Sequence, residues 1–238
     1  MLRKIIKIKF MKIFNKQKFY NFSKASDLGK KAFCFETISS TNDHAVRLED
    51  RVLKLNNNED FLKMLNGTVI ISEIQTGGRG RNYKKWFSPS GGLWFTLILF
   101  LKIKATDVEK INIIMAVSIY EAIRLMFDLK MKIKWPNDIY FNDKKICGIL
   151  SELNNSSSCS YLNIGVGLNA NIDFNKSVYK NTDDSISAIS LKEILNNNID
   201  MEKLLASILD NFEINYENYK KTGDLKSIFL KIDNCIII

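Results

Sequence analysis

Seven consecutive residues, Gln75-Thr76-Gly77-Gly78-Arg79-Gly80-Arg81, combine three glycines with two arginines. Glycine lets a backbone approach a ligand closely and reach positive φ. Arginine donates paired hydrogen bonds that match a carboxylate or phosphate. Lys84 and Lys85 follow as point charges, and Trp86 offers a stacking face. The pattern suits a flexible anion-binding loop, and equally a basic surface loop or an RGG-like nucleic-acid contact. It is not a Walker A loop, because no GKS or GKT ending and no helix signal follow.

Three further segments carry polar chemistry. Lys134-Trp135-Pro136-Asn137-Asp138 places an amide and a carboxylate at the end of a short apolar run, where turn chemistry alone accounts for Pro136 and Asn137. Lys145-Ile146-Cys147-Gly148 reads as strand. Strand alternation then puts Lys145 and Cys147 on one face, with Gly148 marking close approach of a ligand or another backbone. Gly165-Val166-Gly167-Leu168-Asn169 ends the next strand; a lone GxG is common in turns and gains weight only from its company.

The elements that must position these residues are legible in outline. Residues 33–38 read as a strand entering Ser39-Ser40-Thr41-Asn42, a cluster suited to a turn or helix N-cap, with a helix over 43–55. Strands are expected at 68–74, 93–100, 131–135, 139–141, 145–153 and 161–166, the pair around Asn142-Asp143-Lys144 as a hairpin. Apolar residues at Ile111, Ile114, Met115, Ile119, Ala122, Ile123 and Met126 give the best helix, over 107–129. Helices are also expected at 191–196 and 200–219, with a possible final strand in the tail. Strands occur both as hairpins and around helices, so the expected class is α+β, a mixed, largely antiparallel sheet flanked by helices.

Composition bounds the function. The 238 residues are 46% hydrophobic with a net charge of +9, ordinary globular values. The longest apolar run, Leu93 to Leu101, is far below the roughly 20 residues of a spanning helix. Four scattered cysteines without a CxxC pair and a single histidine, His44, disfavour a disulfide scaffold and most zinc sites. Eight of the basic residues fall within residues 1–26, which contain no acid. That segment reads as a solvated basic lead-in or an organelle-targeting segment. The remainder is close to neutral, so a broad nucleic-acid-binding face is not implied.

Taken in order, the strings SSTN, QTGGRGR with its following Trp86, SPSGGLWFT, KWPNDI, KKICGILSE and GVGLNAN resemble the catalytic domain of biotin protein ligases, the biotin–[acetyl-CoA-carboxylase] ligases. The resemblance covers about residues 33–220. It implies a basic extension at 1–32, a catalytic domain at 33–220 and a short tail at 221–238, without an N-terminal helix-turn-helix and with the C-terminal SH3-like domain absent or vestigial. It implies ATP and biotin as substrates with Mg²⁺, formation of biotinyl-5′-AMP, and transfer of biotin to a lysine of a carboxylase biotin-carrier domain. No DNA or membrane partner is expected; a homodimer is compatible, and the compartment is cytoplasmic, or an organelle if residues 1–26 target. A lipoate or octanoate ligase or transferase of the same fold, a degenerate ligase, and a non-catalytic nucleic-acid-binding protein are the alternatives.

The resemblance also implies residue roles. Ser40, Thr41 and Gln75 would hydrogen-bond the ureido group of biotin, supported by Asn42, with Trp94 walling the ring and chain. Gly78, Arg79, Gly80 and Arg81 would fold over the carboxylate and α-phosphate, Lys145 would bridge the same centre, and Gly148 would admit the ligand. Trp86, Asn137 and Asn169 would hold the nucleotide and its phosphate–metal region. Asp138 would position the acceptor lysine or take its proton, or else simply pair with Lys145. No dedicated metal cage is expected. Asn82-Tyr83-Lys84 departs from the family's arginine-rich continuation of the loop and bears on how well the adenylate is retained.

Overall fold

The structure, a computed structural model, describes residues 14–55, 60, 63–101, 107–155, 160–174, 188–232 and 235–237. Among the described residues eight strands form one sheet: β1 (Ala32–Ile38), β2 (Val69–Gln75), β3 (Leu93–Leu101), β4 (Lys132–Lys134), β5 (Asp138–Phe141), β6 (Lys144–Asn155), β7 (Ser160–Leu168) and β8 (Ile236–Ile237). Their spatial order is β1-β2-β3-β7-β6-β5-β4-β8. The two outer pairs, β1 with β2 and β4 with β8, are parallel, and the five inner pairs are antiparallel. The expected mixed, largely antiparallel α+β sheet is what forms.

Helices are α1 (Lys16–Phe22), α2 (Thr41–Leu55), α3 (Asp107–Phe127), α4 (Leu191–Leu195), α5 (Met201–Thr222) and α6 (Lys226–Phe229). Alternation along β3 sorts the two faces. Leu93, Phe95, Leu97 and Leu99 join the main core with Ile111, Ile114, Met115 and Ile119 of α3 and Leu205, Ile208 and Phe212 of α5. Ile98 points the other way, with Ile70 and Tyr161, and packs under Ala45 of α2. Burying each such aliphatic side chain contributes roughly 1.5–3 kcal/mol. The face with α2 is thinner, and it carries the polar residues of interest. No helix among the described residues is long and apolar enough to cross a membrane.

Two sequence expectations change. Residues 14–31 are not a solvated lead-in: Phe14, Phe19, Ala25 and Leu28 are buried in the main core. Asn15 caps α1, and Asp210 and Glu213 of α5 accept hydrogen bonds from the amides of residues 24–28. Interspersed lysines hid this short helix, because the apolar positions make only one turn and a half. The basic residues of 1–13 lie outside the described residues. The tail is also integrated, since Ile228 and Ile232 are buried and β8 pairs with β4.

The second change is in the β5–β6 hairpin. Its turn is Asn142-Asp143, both at positive φ (46° and 60°), as a two-residue type I′ turn requires. Tyr140 pairs with Lys145 but Ile139 pairs with Cys147, so Ile146 is the extra residue of a β-bulge. The bulge reverses side-chain parity. Lys145 and Gly148 now share a face, while Cys147 is fully buried in the core. Burial pushes the Cys147 thiol far above its ordinary range, which removes it as a nucleophile. The expected shared face of Lys145 and Cys147 is therefore wrong, and the bulge is the reason.

Candidate functional site

The first turn of α2 forms one wall. Ser40 is its cap: the Ser40 carbonyl accepts from the His44 amide at 3.0 Å, and its Oγ from the Asp43 amide at 3.4 Å. This fixes the next two side chains. The Thr41 amide and hydroxyl both donate to Gln75 Oε1, at 2.8 and 3.1 Å, and Gln75 Nε2 donates to Ser88 Oγ at 2.9 Å. The Asn42 amide donates to Glu152 Oε2 at 2.7 Å and to the Leu150 carbonyl at 3.2 Å, and its Oδ1 accepts from Thr96. Ser40, Thr41 and Asn42 are all buried. Their orientation is set before any ligand arrives.

The glycine-rich segment leaves β2 and folds back on itself through bridges between Gln75 and Ser88 and between Arg79 and Lys85. At its tip Arg81–Tyr83 forms one 3₁₀ turn with Asn82 at φ 56°. Gly78 serves this folding: a Cβ there would collide with the Trp86 carbonyl and the Ser88 hydroxyl, and Gly78 does not line the cavity described below. Gly148 and Gly167 pair across β6 and β7, and the Trp86 ring rests on them. A Cβ at Gly148 would meet the ring at 3.1 Å, and one at Gly167 would collide with it. The missing side chains make room for Trp86 itself. Trp94 is fully buried beneath, edge-on to Trp86 at 6.5 Å, with its Nε1 donating to the Pro89 carbonyl at 2.8 Å. It backs the wall and does not line it.

The bulged β6 and the turn after β4 supply the charged centre. Lys145 Nζ lies 2.7 Å from Asp138 Oδ2 and 5.1 Å from the centre of the Trp86 ring. Asp138 Oδ1 and Trp86 Nε1 are buried with no hydrogen-bond partner among the described residues. Asn137 is buried; its Nδ2 donates to the Ile149 carbonyl at 3.0 Å and its Oδ1 accepts from Arg81 Nη1 at 2.7 Å. Asn169 donates its amide to the carbonyls of Lys145 and Ile189, at 3.3 and 3.2 Å, and so ties down the bulge. Arg79 is held by two carboxylates that sequence reading had not singled out. One Nη pairs with Asp43, and the other lies 3.1 and 3.2 Å from the two oxygens of Glu152. Burial works against its charge, but these neighbours outweigh burial and hold its pKa above the ordinary value.

These groups surround one cavity of about 540 Å³, a size suited to small ligands. Ser40, Thr41, Asn42, Gln75, Arg79, Gly80, Arg81, Trp86, Asn137, Asp138, Lys145, Gly148 and Asn169 all line it; Gly78 and Trp94 do not. Apart from Arg79, whose charge is met by Asp43 and Glu152, five cationic side chains, Arg81, Lys84, Lys85, Lys134 and Lys145, line the cavity, with Asp138 as the one carboxylate among the described lining residues. An anionic ligand is therefore favoured. Trp135 and Tyr140 extend the wall beyond the expected set; the alternation around Pro136 gave no clue that both would turn inward. No group of three or more His, Cys, Asp or Glu able to hold a metal exists among the described residues.

The chain matches the biotin/lipoate A/B protein ligase family over residues 34–169. It is 31% identical over 202 residues to the bifunctional ligase/repressor BirA of Bacillus subtilis, a match covering 84% of this chain and 58% of that protein. It is 36% identical over 116 residues to biotin–protein ligase 2 of Arabidopsis thaliana, covering 46% of this chain and 35% of that one. The chain thus spans 58% or less of the length of these curated relatives. Among solved structures it resembles the biotin protein ligase from Aquifex aeolicus in complex with biotin and ATP, at a TM-score of 0.68 and 27% identity, covering 87% of this chain and 79% of that chain. The Leishmania major biotin protein ligase in complex with biotinyl-5-AMP has the same fold, at a TM-score of 0.66 and 19% identity.

Proposed function

The chain belongs to the biotin/lipoate A/B protein ligase family, and we propose that it activates biotin with ATP and transfers it to a lysine of a carboxylase biotin-carrier domain. The observation that carries this reading is the adjacency, in one cavity, of a neutral hydrogen-bonding pocket and a cationic centre. Ser40, Thr41 and Gln75 supply the first set, and Arg81, Lys145 and Trp86 the second. A cyclic urea fits the first set: each of its polar groups left unpaired in a buried site would cost on the order of 1–3 kcal/mol. A carboxylate and a triphosphate fit the second.

In the first step the biotin carboxylate attacks the α-phosphorus of ATP. A carboxyl O–P bond forms, the bond to the β-phosphate oxygen breaks, and pyrophosphate leaves. Two anions must be brought together, so fixed cations lower the barrier by stabilising charge where it accumulates. Arg81 and Lys145 are assigned that part, with Asn137 orienting Arg81. Trp86 supplies a face for the nucleotide base, and Asn169 acts through the backbone of Lys145. Mg²⁺ would be held mainly through the phosphate oxygens of the nucleotide, as this ion prefers.

In the second step an acceptor lysine attacks the acyl carbon and AMP leaves. Near pH 7 under ~0.1% of a lysine with the ordinary pKa is neutral. Asp138, with one oxygen on Lys145 and the other without a partner, is assigned to position that amine and take its proton. Intact mass of a biotin-carrier domain after incubation with the protein, Mg²⁺-ATP and biotin tests the reading. One ATP-dependent biotinyl adduct is expected. An adduct from lipoate or octanoate in parallel tubes, and none from biotin, would replace biotin by those acids.

A further inference from the structure

We propose that Arg79 is a positioning residue acting through Asp43 and Glu152, the three forming a clasp that holds the glycine-rich loop down over the cavity. The proposal rests on the ligase reading for its kinetic readout only. Arg79 lies in the loop, Asp43 on the first turn of α2 and Glu152 on β6, so the clasp joins three elements that surround the cavity. Both terminal nitrogens of the guanidinium are engaged by carboxylates, and both Glu152 oxygens take part. Nη2 reaches both Glu152 oxygens while Nη1 pairs with Asp43, so two carboxylates on different elements fix the orientation of the guanidinium.

Charge points the same way. One guanidinium between two carboxylates makes a cluster of net charge −1, so Arg79 presents no unbalanced positive charge to an anion. Arg81, two residues on, meets the neutral amide oxygen of Asn137 and keeps its full charge for the cavity. The two arginines of Arg79-Gly80-Arg81 therefore divide the work: the first anchors the loop and the second faces the ligand. Glu152 also accepts from Asn42, so the clasp is continuous with the polar wall at Ser40 and Thr41. A loop ordered in advance loses less freedom when it closes on a ligand. Its release then shows in binding and much less in turnover.

The test compares Arg79→Ala, Asp43→Asn with Glu152→Gln, and the triple variant of the full chain. The Glu152→Gln substitution retains an oxygen acceptor for Asn42, which separates the clasp from the wall. For the double variant, KM for biotin in biotinyl-AMP formation is expected to rise about 10-fold with kcat within about 3-fold. Trypsin cleavage after Arg81, Lys84 or Lys85 should accelerate about 10-fold without a matching fall in Tm. Adding Arg79→Ala should change neither readout further. The proposal is overturned if Arg79→Ala lowers kcat about 100-fold or more while the double variant behaves as wild type, because Arg79 would then touch the reacting groups. Wild-type protein that makes no biotinyl-AMP would sink the ligase reading instead, and the trypsin comparison would still decide the clasp.

Discussion

Lys145–Asp138 in the cavity and Lys231–Glu121 in the scaffold are the same kind of ion pair, at 2.7 and 3.0 Å, set in opposite surroundings. Around Lys231 every position is filled. Asn215, buried between α3 and α5, donates to Ser118 Oγ at 3.0 Å and to Glu121 Oε2 at 2.7 Å and accepts from Lys231 at 2.7 Å. Around Lys145 two buried atoms, Asp138 Oδ1 and Trp86 Nε1, lack a partner among the described residues. Unmatched buried polar atoms are rare in folded proteins. The scaffold cluster saturates its own bonding capacity, whereas the cavity keeps some for chemistry.

The largest effect that tests this contrast is expected at Lys145. Lys145→Ala should slow single-turnover formation of biotinyl-AMP by on the order of 100- to 1,000-fold and leave the circular dichroism spectrum of the fold intact. A normal rate would erase the distinction between the two pairs.

Glu49 sharpens the contrast as an exception within the scaffold. It is fully buried on α2, accepts from Asn154 at 2.8 Å and Asn163 at 3.2 Å, yet its Oε1 has no partner among the described residues. Burial raises its pKa to about 7 despite those two hydrogen bonds. Because the folded-state pKa lies above the ordinary 4.5, the contribution to stability is full below pH 4.5 and is lost as pH rises to about 7. The loss amounts to on the order of 3 kcal/mol. Glu49→Gln should flatten the denaturant midpoint across that window. An unchanged slope would mean that Glu49 has the same pKa in the folded and the unfolded chain.

Asn215→Leu comes next. It leaves Glu121 and Lys231 short of partners, at roughly 2 kcal/mol, and should lower the urea midpoint without changing kcat. A fall in kcat at full folding would place this cluster in the working parts of the protein.

The sequence carried the site further than it carried the supports. The resemblance carried by the ordered motifs was enough to bring together Ser40, Gln75, Arg81, Asn137 and Lys145, all of which line the cavity. Three things were not local. The bulge at Ile146 changes parity only through pairing with β5, so Cys147 was placed on the wrong face. Asp43 and Glu152 become partners of Arg79 only after α2 and β6 meet, 36 and 73 residues away along the chain. Gly78 and Gly148 were readable as close approaches, and Gly167 only as part of a GxG, but what approaches is Trp86 and the loop's own backbone, which spacing cannot name. The helix at Lys16–Phe22 was missed because its single core residue, Phe19, carries no period by itself.

The smallest effect is expected where the scaffold is most complete, at Glu213. Its two oxygens accept from the amides of Ser26, Asp27 and Leu28, at 2.6, 3.0 and 3.3 Å, and so fasten the segment between α1 and β1 to α5. Partial burial raises its pKa, but the three amides more than offset that and hold it below the ordinary 4.5. The sign is therefore opposite to that of Glu49: the contribution is present above pH 4.5 and is lost as pH falls through the lower folded-state value. Glu213→Gln keeps an oxygen acceptor and removes the charge, so about 1 kcal/mol is expected after allowance for solvent screening. The gap between wild type and variant should be widest at pH 7 and close as pH falls through the folded-state value, which lies below 4.5. Since nothing in this cluster faces the cavity, biotinyl-AMP formation should be unchanged at pH 7. A gap that persists at low pH would show that the amide positions, and not the carboxylate charge, hold the segment in place, and a loss of activity would show that the segment reaches the site.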